Sequence, residues 1–383
     1  MKVAYCCYLR NVEGEGAFYR TFSLKKSAEK EKIPIDFYFF TDVYREVEEQ
    51  LKENIVIEKI KTTKNMFFKH KFIAKKIVEK MNSEDYEAVI LRYTPLSFWF
   101  YHSFKNKKFF LITEHHTKEI PEFISTKNYK CLFSELLSQK LCGKIIDGII
   151  AVTDEIRRYN CNRLGIPEEK SITISNGIFV DEISFTKYKP FDGYNLDLIF
   201  VGTRNYPWHG LDRIIRGLSE YKNRIKIKLH IVGNIHENDI KNCKLENFSK
   251  IEFYGILKGK ELDNLFSQMN LAVGTLALNR KKMIEACSLK VREYTARGIP
   301  FVISYKDVDL NYNLPFVKFF KDDEQPIRID EVVKFAENIS KNFNVEQLSS
   351  YMREYAYKNM DWRIKIKQYL KFIESFVSFN RKL

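Results

Sequence analysis

At 383 residues the chain is too long for one ordinary domain and suits two. Its 45% hydrophobic content suffices for sizeable cores and excludes global disorder. The net charge of +14 favours anionic partners: phosphates, nucleic acid or an acidic membrane surface. Seven cysteines without a C-x-x-C pair fit buried thiols in a reducing cytosol better than a disulfide framework or a zinc site. MKVAYCCYL is too short, and too polar downstream, for a signal peptide. No apolar stretch of about 20 residues is present, so a spanning helix is not expected.

Strand candidates in the first half are VAYCCYL (3–9), IDFYFF (35–40), EAVILRY (87–93), FFLIT (109–113), GIIAV (148–152) and SITIS (171–175). Helix-length segments, such as 17–31 and 66–81, lie between several of them. Such alternation predicts a parallel sheet covered on both faces. The stretch 180–195, with Pro190, Asp192 and Gly193, reads as a linker. Alternation then restarts: LDLIFVG (196–202), a helix at 210–222, KLHIVG (228–233), IEFYG (251–255), a helix at 260–269, LAVGT (271–275), a helix at 289–297 and PFVIS (300–304). From Asp361, a residue type that caps helices, Trp362, Ile366, Leu370, Ile373 and Val377 form one apolar stripe of a closing helix.

Open parallel sheets bind ligands outside the carboxyl ends of their strands, so the loops there hold the candidate site residues. After the first strand, Gly14 and Gly16 open a helix; the spacing serves a phosphate-contacting loop or a tight turn equally well. After FFLIT come Glu114, His115 and His116. Adjacent histidines point to different sides of an extended chain, which disfavours a shared metal. After the strand ending at Gly202, Arg204 and His209 precede a helix start, where they could grip a diphosphate. Glu285 and Glu293 stand eight positions apart. Glu285 is expected in a loop, and Glu293 early in a helix that ends before Gly298. Both could then line one elongated pocket for a ribose or polyol; by spacing alone, Glu293's plainer role is to stabilise its helix.

In this order the pieces resemble a GT-B fold, family-four, retaining glycosyltransferase (glycosyl transferases group 1). The resemblance covers nearly the whole chain and is densest over 145–304. It rests on IIDGIIAVTDEI, on GIPEEKSITISNGI with Asn176 and Gly177, on IFVGTRNYPWHGLDRII, on LHIVGN with Gly233 and Asn234, on IEFYGIL, and on the paired glutamates. It implies two Rossmann-like domains facing across a cleft: an acceptor-side domain at 1–185, a donor domain at 190–355, and a helix at 356–383 returning to the first domain. It implies a nucleotide-sugar substrate, UDP-sugar foremost, with no bound cofactor or metal, and a glycan or lipid-linked acceptor in bacterial surface-polysaccharide synthesis.

By the same resemblance Glu293 would hold the ribose hydroxyls and Glu285 the donor sugar. Backbone amides at Ser288, Leu289 and Lys290 would meet the diphosphate, and the Gly14–Gly16 loop would close on it. His115 or His116 would lie near the anomeric centre. His209 stands where family members often carry Lys, and Arg204 is one place from the usual Arg. A GT-B epimerase and a catalytically silent scaffold are the rival readings.

One segment carries a second message. In NMFFKHKFIAKKIVEKMN (65–82), Ile73, Ala74, Ile77, Val78 and Met81 share a core-facing arc, while Phe68 and Phe72 project elsewhere among Lys69, Lys71 and Lys75. That pattern suits peripheral contact with an anionic membrane, at the cytoplasmic face. No zinc spacing, RNA-binding signature or recognition helix supports nucleic acid.

Overall fold

The computed structural model describes residues 1–9, 16–41, 56–59, 66–202, 204–235 and 249–380. The chain divides into two compact units, one of Met1–Ser175 with Trp362–Leu383 and the other of Asn176–Asp361.

The first unit runs β1 (Val3–Leu9), α1 (Gly16–Lys30), β2 (Ile35–Thr41), β3 (Val56–Lys59), α2 (Met66–Ser83), β4 (Ala88–Arg92), α3 (Phe98–Phe104), β5 (Phe110–His115), α4 (Glu119–Ser125), α5 (Tyr129–Gly143), β6 (Gly148–Ala151), α6 (Asp154–Leu164) and β7 (Ser171–Thr173). The seven strands pair in parallel in the order β3-β2-β1-β4-β5-β6-β7. Val3 to Cys7 are all buried, as a strand covered on both faces requires. In α2, Ile73, Ala74, Ile77, Val78 and Met81 are buried, the arc that the 3.6-residue period marks.

The second unit contains β8 (Asn195–Val201), α7 (Leu211–Glu220), β9 (Lys226–Val232), β10 (Ser249–Phe253), α8 (Gly259–Phe266), β11 (Leu271–Val273), β12 (Glu285–Ala286), α9 (Leu289–Arg297), β13 (Phe301–Ile303), β14 (Lys306–Asp307), β15 (Val317–Phe319), α10 (Ile329–Asn342) and α11 (Val345–Asn359). Its parallel sheet has the order β10-β9-β8-β11-β13-β15. In both sheets the order reverses beside the first strand, at β1/β4 and at β8/β11. Crevices at such switch points are where open α/β sheets bind ligands.

The closing helix, α12 (Trp362–Asn380), packs on α1 in the first unit. Trp362, Ile366, Tyr369, Ile373 and Val377 form its buried stripe, while Leu370 is half-buried. Tyr369 takes the inner position because its hydroxyl finds polar partners in Arg20 and Glu114.

Three readings need correction. SITIS is a strand only over Ser171–Thr173. β3 carries no turn-bounded apolar run and was not expected. Glu285 does not lie in a loop: with Ala286 it forms a two-residue strand, parallel to Lys306–Asp307. Such a short ladder depends on a partner twenty-one residues away, beyond any local pattern.

Candidate functional site

The second unit gathers the more informative group. Phe200, fully buried near the end of β8, is its platform. The His209 ring meets it edge-on, with centroids 5.5 Å apart, and Lys290 Nζ lies 4.2 Å from its centroid. A Cβ at Gly202 would come within 2.9 Å of the same ring, so the chain passes close there.

His209 is fixed by its own loop. Its backbone amide donates to Tyr206 O (2.9 Å), and its carbonyl accepts from Leu276 N–H beyond β11 (2.9 Å). Gly210 follows at φ 68°, and a Cβ there would meet Leu276 at 2.8 Å, so the turn requires glycine. Lys290 is set by α9, whose N-cap, Ser288, makes no side-chain cap bond. The first amides of a helix have no intrahelical acceptor, so α9 presents donors and a positive dipole end.

Lys290 Nζ and His209 Nδ1 are both buried without a hydrogen-bond partner among the described residues. Burial pushes the Lys290 amine down to about 7. Burial, and Lys290 beside it, push His209 well below the ordinary imidazole value. A buried amine and an imidazole beside a helix N-terminus, with no carboxylate pairing either, are chemically suited to an anion.

The remaining predicted residues in this unit are placed as follows. Glu285 accepts from Lys306 Nζ at 2.7 Å. Glu293 accepts from Arg297 Nε at 2.9 Å, an i,i+4 pair within α9, and its side chain stays 23% exposed. Arg204 is exposed, outside the buried pair of bases. Gly233 donates its amide to Gly255 O at 2.7 Å, and Asn234 is exposed.

Sequence reading passed over Arg292, which is fully buried. It pairs with Asp307 and, at 2.5 Å, with Asp309, and donates to Asn176 O at 3.2 Å. Asn176 in turn donates its amide to Cys287 Sγ and its side chain to Cys287 O, each at 2.8 Å. The start of α9 is thus tied to β14 and to the Asn176 segment. A charged residue on an apolar helix face was the available signal.

In the first unit, the carboxyl end of β5 separates the two histidines. His115 is fully buried, with Nδ1 2.6 Å from Glu119 Oε1 and Nε2 3.0 Å from Thr113 Oγ1. His116 keeps 19% side-chain exposure, with Nε2 2.9 Å from Arg92 Nη1. Burial, with Arg92 and Arg20 nearby, pushes His116 down to about 3. Burial alone would raise the Glu114 carboxyl, but Arg20 and His116 hold it well below the usual carboxylate range. Gly16 begins α1; Gly14 lies outside the described residues.

With this geometry in view, the comparisons with known proteins are specific. Residues 195–312, within the second unit, match the family model described as Glycosyl transferases group 1. The fold matches that of a glycosyltransferase from Rickettsia africae at TM-score 0.69 and 15% identity, over 98% of this chain and 99% of the other. It matches the lipopolysaccharide outer core galactosyltransferase WaaB at 0.66 and 15%, over 98% and 99%. It matches Anabaena Alr3699/HepE in complex with UDP-glucose at 0.65 and 14%, over 97% and 99%. No curated protein sequence matches the chain.

The two-sheet fold is that of the GT-B class, and residues 195–312 are similar to the group 1 glycosyltransferase model. His209 and Lys290 both lie within the matched residues.

Proposed function

We propose that this protein transfers a sugar from a nucleoside-diphosphate sugar, a UDP-sugar foremost, to a glycan or lipid-linked acceptor, with retention of configuration, in the synthesis of cell-surface polysaccharide. The buried, unpartnered pair of Lys290 Nζ and His209 Nδ1 at the carboxyl end of β8 carries this reading. A diphosphate there supplies the missing counter-charge, and α9 turns its first amides, at Leu289 and Lys290, toward the same group.

The roles of the other residues follow. Glu293 accepts from the ribose hydroxyls, exchanging its bond to Arg297. Glu285 accepts from a hydroxyl of the donor sugar. His116, the more exposed histidine, takes the position near the anomeric carbon, since both ring nitrogens of His115 are engaged. In transfer, the bond between the anomeric carbon and the diphosphate oxygen breaks. The acceptor hydroxyl oxygen bonds to that carbon from the same face, and its proton passes to the departing oxygen. Lys290, His209 and the helix start stabilise the charge that develops there. No protein nucleophile is required, nor a bound metal; full turnover in excess chelator is the expected result for the latter.

The test is thermal stabilisation by UDP, GDP and ADP and by their sugars, followed by product analysis. UDP-sugars should raise the melting temperature most, and the product should keep the donor's anomeric configuration. Stabilisation by none of them overturns the donor assignment. Epimerised free sugar without acceptor transfer moves the protein to the epimerase reading. Among the described residues no helix is long and apolar enough to cross a bilayer.

A further inference from the structure

The helix α5 has an apolar and basic outer face. Tyr129, Phe133, Leu136, Leu137 and Leu141 are exposed on it, Phe133 and Leu137 each by 66%. Lys130 and Lys140 are exposed among them, and Lys144 just beyond the helix end. At 100° per residue these positions fall in a single arc of about 140°. The opposite face, Cys131, Glu135, Ser138 and Cys142, is buried and anchors the helix. The helix's one acid, Glu135, is turned inward, accepting from Arg163 (2.5 Å), Tyr93 and the Leu96 amide. The outer arc therefore holds aromatic, leucine and lysine side chains and no carboxylate.

We infer that this face docks on an anionic lipid bilayer, with its aromatic and leucine side chains at the headgroup boundary and its lysines against lipid phosphates. An in-plane helix of this composition gains from apolar burial and from the negative surface potential together. Charge decides against a second copy of the chain as occupant. Lys140 lies near the middle of the arc, so a two-fold contact centred there would press like charges together within an apolar seam. Of the α2 residues expected at a membrane, the side chains of Phe68 and Lys69 lie outside the described residues. In α2, Phe72 is half-buried and Lys71 Nζ is drawn over the Trp99 ring at 4.3 Å.

The experiment is flotation of the full chain with vesicles of phosphatidylcholine alone or with about one-third phosphatidylglycerol. The protein should float with the anionic vesicles at low salt, weakly at high salt, and not with phosphatidylcholine alone. Lys130→Glu with Lys140→Glu should weaken binding about tenfold or more. Phe133→Ser with Leu137→Ser should abolish it, and both variants should keep the parent melting temperature because these side chains are exposed. Lys75→Glu, on α2, should leave binding unchanged. No flotation of the parent protein, undiminished flotation of the α5 variants, or a loss confined to Lys75→Glu overturns the assignment. A dimer that Phe133→Ser dissociates, without flotation, assigns the face to a contact between copies instead.

Discussion

Lys290 Nζ rests 4.2 Å from the centre of the Phe200 ring and has no hydrogen-bond partner among the described residues. The contact recovers only part of what burial removes. A cation over an aromatic face gains about 1–2 kcal/mol, while a buried amine loses its water outright. The site therefore stores a cost in the free protein that a bound anion relieves.

Lys290→Met tests this in two directions at once. Removing the buried amine should raise the melting temperature of the ligand-free protein by a few degrees. It should also cancel most of the stabilisation by UDP. A variant that is less stable without ligand, yet still stabilised by UDP, contradicts the role given to Nζ.

A pH dependence follows from the same group. Its folded-state value of about 7 lies below the ordinary 10.5, so the unfolded chain binds the extra proton between these limits. Stability contributed by this group is thus full above pH 10.5 and falls as pH drops toward 7. A bound diphosphate restores the charge, so UDP binding at pH 8 should take up close to one proton, and affinity should fall as pH rises above 7. Calorimetry in buffers of different ionisation enthalpy measures the uptake; zero uptake at pH 8 would remove the counter-charge argument.

Glu285→Ala should abolish transfer while leaving the fold intact. The Lys306 partner is exposed by 53%, so losing their ion pair costs stability only about 0–1 kcal/mol. A hydroxyl-accepting carboxylate at the donor sugar, by contrast, should be worth roughly 100-fold or more in turnover. Full activity of this variant sinks the sugar-side assignment.

Arg292→Met should be the costliest change in the second unit. It strips the buried Asp307 of its partner and frees the β14 segment from α9, at about 3–5 kcal/mol. Denaturant unfolding measures it. Because the loss is structural, UDP should still stabilise whatever fraction folds at low temperature.

Arg20→Met should destabilise the first unit by a similar 3–5 kcal/mol, since Glu114 would be left buried with its main cation gone. Tyr369→Phe, which removes one of several hydrogen bonds to the same carboxylate, should cost about 1 kcal/mol. No loss in Tyr369→Phe would mean that α12 is held by packing alone.

Much of this protein was written locally. Alternating apolar runs and helical periods determined two α/β halves, because a strand buried on both faces and an amphipathic helix each need only a few neighbouring residues to declare themselves. Helix α9 and its end were legible for the same reason: Gly298 takes φ 81°, where a side chain is strained. His209 was legible as a candidate by type and by position after a strand, and Lys290 only through the family resemblance. The tertiary structure alone decided that both lean on Phe200, that Arg204 stays in solvent, and that His115 is locked against Glu119 while His116 keeps access. It alone turned Glu135 inward and left the outer face of α5 apolar and basic. Those outcomes depend on which distant groups a buried charge can find, and pairing across tens or hundreds of residues leaves no period in the sequence.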